Sequence, residues 1–174
     1  QTDTIDLLLI HWPGSTPVEE TLRAMQTLQS EGVVRSMGIS NFEGRQLDEV
    51  FALDFPIVNN QVEINTRVYP AETINTCQQQ GVTVTAYSPL GEGGLLRNVK
   101  LVELAQTEAI TTAQLVLAHL MTKNLVVIPR SGNLDHIKDN WNAIHVQLSD
   151  NTLKNMDALV GIAGCDKSLP GMMM

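Results

Sequence analysis

The chain has 174 residues, 43% of them hydrophobic, which is enough for one domain with a real core. A formal net charge of −8 argues against nucleic acid or an anionic membrane as the main partner, yet leaves room for an anionic ligand in a local basic pocket. Cys77 and Cys165 are too few and too far apart for a disulfide framework or a zinc site, which favours a reducing, cytoplasmic setting.

Short β-rich runs alternate with amphipathic helical stretches along the chain. The first run, IDLLLIHW (5–12), is apolar until it reaches His11, Trp12 and Pro13. PVEETLRAMQTLQSEG follows, with Thr16 expected as N-cap and Pro17 in the first turn. Leu22, Met25 and Leu28 form its apolar face, and Gly32 ends it. The next strands are VVRSMGIS (33–40), IVNNQVEI (57–64), VTVTAYS (82–88) and NLVVIP (124–129). GRQLDEVFAL, AETINTCQQQG, LVELAQTEA with TAQLVLAHLMTK, and LDHIKDNWNA fill the gaps as helices. A last helix, SDNTLKNMDALVG, opens on Ser149 or Asp150, and Met172 to Met174 read as a tail. No apolar run reaches the roughly 18 residues of a membrane helix.

Strands apolar on both faces, each followed by a helix, specify a parallel sheet. No GxGxxG follows the first strand, which disfavours a doubly wound dinucleotide fold. A (β/α)8 barrel of the TIM type fits better, because polar residues collect at the strand ends: His11, Ser40 and Asn41, Gln61, Tyr87 and Ser88, Arg130 and Ser131. Only five β/α units are visible, however, where closure needs eight. With Gln1 in place of a starting methionine, the expectation is a single domain, 1–174, forming the C-terminal five-eighths of a barrel. An open sheet has two bare edges, so pairing with a missing N-terminal half, or self-association, is expected.

Five stretches together resemble the aldo-keto reductase family: IDLLLIHWP, EGVVRSMGISNF, IVNNQVEIN, VTVTAYSPLGEGG and VVIPRSGNLDHIKDN. They follow the family's order from its fourth strand onward and cover nearly the whole chain. The resemblance implies NADPH-dependent reduction of aldehydes or ketones, with a small-molecule carbonyl substrate and neither nucleic acid nor membrane as partner.

At a strand end, a neutral His11 imidazole can orient a substrate carbonyl; the alternative is a core histidine bonded to backbone. Trp12 offers a wall for the substrate, or simply packs. Ser40, Asn41 and Gln61 match residues that hold the nicotinamide amide in the family, although Ser-Asn after a strand also reads as a turn. Tyr87 matches the tyrosine that stacks on the nicotinamide. Ser88, Leu90 and Gly91, with Gly93 and Gly94, form a loop whose backbone N–H groups can approach a pyrophosphate, or an ordinary glycine-rich turn. After the last strand, Ile128, Arg130 and Ser131 lead to a helix whose free N–H groups suit a phosphate. Arg130 stands where the family usually has lysine. His136 stands where an arginine often clamps the 2′-phosphate, which weakens that contact near neutral pH. Asp139 and Asn140 match positions that contact adenine.

His119 and His145 lack partners at ligand spacing, so no metal is expected. Glu63 and Tyr69 read as structural. The family's proton donor is a tyrosine supported by a lysine and an aspartate, all ahead of the fourth strand. The only tyrosines here are Tyr69 and Tyr87, so this chain alone is expected not to turn over carbonyls. The alternative function is a non-catalytic module that binds NADP(H) or a partner protein.

Overall fold

The computed structural model describes residues 3–160; Cys165, the segment from Ala163 onward and the expected Met172–Met174 tail lie outside them. Five parallel strands, β1 (Ile5–Ile10), β2 (Val34–Ser40), β3 (Ile57–Glu63), β4 (Thr83–Tyr87) and β5 (Leu125–Val127), lie side by side in sequence order. Helices α1 (Val18–Ser30), α2 (Gly44–Ala52) and α3 (Ala71–Gln79) make the first three crossovers. The fourth crossover is longer: a 3-10 segment, Gly91–Arg97, precedes α4 (Val99–Thr107) and α5 (Thr112–Met121). After β5 come α6 (Leu134–Asn142), a 3-10 turn (Ala143–His145) and α7 (Asp150–Leu159). This is an α/β architecture with the strand order and helix placement of a (β/α)8 barrel, of which five units are present.

Successive strand residues face opposite sides. Leu8 and Ile10 of β1 pack with Met37 and Ile39 of β2, Val62 of β3 and Val84 and Ala86 of β4. Leu22 and Met25 of α1, Leu47 and Val50 of α2, Ile74 and Cys77 of α3, and Leu115, Val116 and Leu120 of α5 complete that core. The other sheet face is open: Ile5 and Leu7 are 45% and 40% exposed, and Val126 is 48% exposed. A closed barrel would bury this face.

The elements end earlier than the apolar runs do. β1 stops at Ile10, so His11, Trp12 and Pro13 lie beyond it, and β5 covers only Leu125–Val127 of the expected 124–129. Pro129 has no N–H to continue the ladder, although Ile128 N still donates to Ala86 O at 3.2 Å. At the start of α1 the N-cap is Pro17 rather than Thr16, and no side chain caps the helix. Leu28 remains exposed and does not join the buried face of Leu22 and Met25. Ser149 caps α7 as expected, its Oγ accepting from Thr152 N.

Gly38 is the tightest point of the sheet. A Cβ there would lie 2.6 Å from Asn59 O and 2.7 Å from a Leu9 methyl. Beside it the β2–β3 register shifts, Met37 pairing with Ile57 but Ile39 with Asn60. Beyond the shift Asn60 points to the helix layer, donating to Phe42 O at 2.9 Å, while Gln61 sits opposite Ser40.

Candidate active site

The strand ends β1 to β4 deliver one hydrogen-bonded cluster. Ser40 is buried at the end of β2 and donates through Oγ to Gln61 O at 2.7 Å. Asn41 takes up a left-handed backbone, φ 64°, which an asparagine tolerates better than most residues. That turn lets Asn41 Nδ2 donate to His11 O at 2.9 Å and to Ser40 Oγ at 3.0 Å. The Tyr87 hydroxyl donates to Asn41 Oδ1 at 3.0 Å. The backbone N–H of Asn41 donates to Gln61 O at 2.9 Å. His11, Ser40, Asn41, Gln61 and Tyr87, far apart in sequence, thus converge.

Hydrogen bonding decides what the cluster still offers. Both Asn41 Nδ2 hydrogens and the Ser40 hydroxyl hydrogen are spent internally, so these two side chains can meet a ligand only as acceptors. The Gln61 side-chain amide has no hydrogen bond among the described residues and is half-buried, so it can donate as well as accept. A ligand carboxamide, with one donor and one acceptor end, matches that division. Burial pushes the Tyr87 phenol above its ordinary value of 10.0, and the Glu63 and Glu43 carboxylates push it further. Its proton therefore stays on Tyr87, held toward Asn41. The His11 and Trp12 rings lie 6.0 Å apart, tilted by 42°, and both are exposed.

Next to the cluster opens a cavity of about 930 Å³. Its walls are the loop after β4 (Ser88, Pro89, Leu90, Glu92, Gly93, Leu96), the start of α5 (Thr111, Thr112, Ala113), and the stretch from β5 into α6 (Ile128, Pro129, Arg130, Ser131, His136, Asp139, Asn140). The residues of the expected phosphate and adenine groups line one hollow except two glycines, Gly94 and Gly91. Gly91 is held within the loop. Its φ is 53°, the direction a Cβ would take points at Leu95 Cγ, 3.0 Å away, and its N–H donates to Ser88 O at 2.9 Å.

Two expectations about backbone donors are corrected. Gly91 N and Gly93 N donate to Ser88 O and Leu90 O, so these amides close the loop on itself rather than point at a ligand. At α6 the Asn133 side chain caps Asp135 N at 2.8 Å and His136 N at 3.2 Å, so two of the first-turn N–H groups are already taken up within the chain. The side chains of Arg130, Ser131 and His136 line the cavity, and Ser131 Oγ accepts from Asn133 N with its own hydrogen uncommitted among the described residues.

Several contributors escaped sequence reasoning. Glu63, read as structural, accepts from Asn65 Nδ2 at 3.1 Å and lies close enough to bias Tyr87. The buried Asn65 also donates to Ser88 O at 3.2 Å, tying the end of β3 to the cavity loop. Thr111 and Gln114 form a capping box at α5, a T-x-x-Q signature in the sequence, and Thr111 also reaches Asp139. Among the described residues no three His, Cys, Asp or Glu side chains converge on a metal position, and no helix is long and apolar enough to cross a membrane.

A parallel β/α sheet that gathers a polar cluster and an adjoining hollow at its C-terminal strand ends has the layout of a barrel active-site face. Residues 1–160 match the aldo/keto reductase family, and the chain belongs to that family. It is 36% identical over 161 residues to glyoxal reductase of Bacillus subtilis, and 35% identical over 158 residues to the uncharacterized oxidoreductase YtbE of the same organism. These alignments take in 91% and 90% of this chain but 58% and 56% of the relatives. A thermostable aldo-keto reductase crystallised with the inhibitor epalrestat superposes with a TM-score of 0.85 at 40% identity, over 91% of this chain and 61% of that one. A variant of the protein Gox0644 in complex with NADPH superposes with a TM-score of 0.82 at 26% identity, over 90% and 59%. The chain thus spans somewhat more than half the length of the curated relatives it matches.

Proposed function

We propose that this chain is the cofactor-binding part of an NADPH-dependent reductase of aldehydes and ketones, acting in the cytoplasm. The observation that carries the reading is the adjacency of the His11–Asn41–Gln61–Tyr87 cluster to the Arg130–Asn140 hollow. Reductase relatives, two of them named for glyoxal and methylglyoxal, support carbonyl reduction and make small 2-oxoaldehydes the first substrates to try.

The donor set fits the dinucleotide. Gln61 donates to the nicotinamide carbonyl, while Asn41 Oδ1 and Ser40 Oγ accept from its amide nitrogen. The Tyr87 ring covers one face of the nicotinamide. Arg130, Ser131 and His136 take the 2′-phosphate, and Asp139 and Asn140 the adenine. When bound, NADPH supplies a hydride to the carbonyl carbon. His11, just past β1, orients the carbonyl oxygen, with Trp12 as an apolar wall. The planar Arg130 guanidinium suits a phosphate, so NADPH is favoured over NADH.

The Tyr87 hydroxyl hydrogen is directed to Asn41, and this reading assigns the proton donor to groups outside this chain. The bare edges at β1 and β5 and the exposed inner residues Ile5, Leu7 and Val126 suit pairing with the three β/α units that an eight-unit barrel needs beyond these five. The test is a titration of the chain with NADPH, followed by NADPH oxidation with methylglyoxal, with and without a separately produced segment of those three units. Binding without turnover, followed by turnover when the segment is added, is the expected result. Binding with no turnover in any combination would identify a non-catalytic NADP(H) module instead.

A further inference from the structure

We propose that Thr111 sets the orientation of Asp139 and thereby makes the cavity select a 6-amino purine over a 6-oxo purine. The inference rests on the reading that this cavity holds the adenosine end of NADP(H), and it assigns to Thr111 a positioning role in that site.

Thr111 is the N-cap of α5, where its Oγ1 accepts the Gln114 N–H at 3.1 Å. A threonine hydroxyl has a single hydrogen, and here that hydrogen goes to Asp139 Oδ2 at 2.7 Å. Gln114, the other half of the capping box, points its Nε2 at the Asp139 backbone O, 3.5 Å away. The start of one helix therefore holds both the carboxylate and the carbonyl of a residue on another.

A carboxylate can only accept. With Oδ2 committed to Thr111, Oδ1 is the oxygen without a protein partner among the described residues, and Asp139 lines the hollow. Asn140 beside it offers a donor and an acceptor. A 6-amino purine presents an N–H donor next to a ring-nitrogen acceptor, the complement of an acid beside an amide. A 6-oxo purine turns a carbonyl toward the carboxylate, leaving both oxygens without a hydrogen between them. Without Thr111 the Asp139 side chain can rotate away, and the penalty on the 6-oxo group disappears.

The experiment titrates this chain calorimetrically with NADPH and with its deaminated counterpart, in which a 6-oxo group replaces the amine. Thr111, Asp139 and Asn140 all belong to this chain, so the chain itself is titrated. Wild type is expected to favour NADPH by about tenfold or more, the value of one charge-assisted hydrogen bond. Thr111→Ser keeps the hydroxyl and the preference. Thr111→Asp remains a good N-cap but has no hydrogen for Asp139, so α5 stays folded while the ratio falls toward one. Asp139→Asn, with Oδ1 still accepting from Thr111 and Nδ2 turned into the hollow, reverses the preference. NADPH binding with an unchanged ratio in Thr111→Asp would overturn the positioning role alone. Failure of wild type to bind either nucleotide would overturn the cofactor reading, and this inference with it.

Discussion

Tyr87 and Asn41 meet through a single hydrogen bond, hydroxyl to Oδ1 at 3.0 Å, that joins the end of β4 to the turn after β2. Asn41 continues the tie to His11 O, so the amide is the hub and the phenol one spoke. Tyr87→Phe keeps the ring and loses one hydrogen bond, which costs about 1 kcal/mol, or roughly fivefold in NADPH affinity. Asn41→Gly keeps the left-handed turn without backbone strain but removes all three side-chain bonds, so affinity falls by tenfold or more. Fluorescence titration of the two variants checks the order. Equal losses would mean that Asn41 is not the hub.

Gly38 makes a prediction about folding rather than binding. Its missing side chain lets the Asn59 carbonyl and a Leu9 methyl close over β2. In Gly38→Ala the new methyl would meet backbone on one side and could escape only by moving β3. A loss of about 3 kcal/mol or more is expected, at the upper end for overpacking, and would appear in a urea melt. An unchanged midpoint would show that the strands separate freely here.

How far the sequence reveals all this depends on the range of the interaction. Apolar runs bounded by glycine and proline mark the strands, because each strand carries apolar side chains on both faces, the open one included. His11, Asn41, Gln61 and Tyr87 stand out because they interrupt those runs at their ends. The hydrogen bonds that decide what each residue can offer a ligand are not visible in that pattern. Asn133 reads as the start of a short helix with free N–H groups, yet its own side chain takes up two of them. Thr111 looks like an ordinary cap, yet it holds a residue 28 positions away. Asn60 sits in an apolar strand and secures Phe42 O from the helix side. Such pairings depend on registers and crossovers that no local window contains.

His119 links α5 to α7 in a pH-dependent way. It is fully buried, with Nε2 2.7 Å from Asp157 Oδ1, which also receives Lys123 Nζ at 2.5 Å. Burial holds the imidazole below its ordinary 6.5; the Asp157 hydrogen bond opposes this, and the Lys123 charge reinforces it. Nδ1 has no hydrogen-bond partner among the described residues, so a second proton would be buried without an acceptor there. Burial raises the Asp157 value, but hydrogen bonds from Lys123 and His119 outweigh it and leave the carboxyl low. Below pH 6.5 the unfolded chain takes up a proton at His119 that the native chain refuses, so stability falls as pH falls. Thermal melts from pH 7.5 to 5 are expected to show a declining midpoint. His119→Gln, which keeps a donor toward Asp157 but does not titrate, should flatten that slope. An identical slope in the variant would assign the decline to other groups.

The outer surface carries a second, independent sign of barrel closure. No residue of α6 is buried, and Leu134, Ile137 and Trp141, spaced three and four apart, are 64%, 48% and 66% exposed. That spacing places them on one helical face, and Ile144 extends it into the following 3-10 turn. Helix α6 follows β5, the bare edge of the sheet, so the next strand and helix of a closed barrel would lie against this stripe. Adding the separately produced first three units should therefore shield Trp141. With Trp12 replaced by Phe, leaving Trp141 as the only indole, emission should shift to the blue and acrylamide quenching should fall when that segment is added. Trp141→Glu, on the same background of α6, should weaken the association by about tenfold or more, since it places a charge in an interface that would otherwise be apolar. Restored turnover with Trp141 still fully quenchable would mean that closure occurs without this face, and that the stripe serves some other contact.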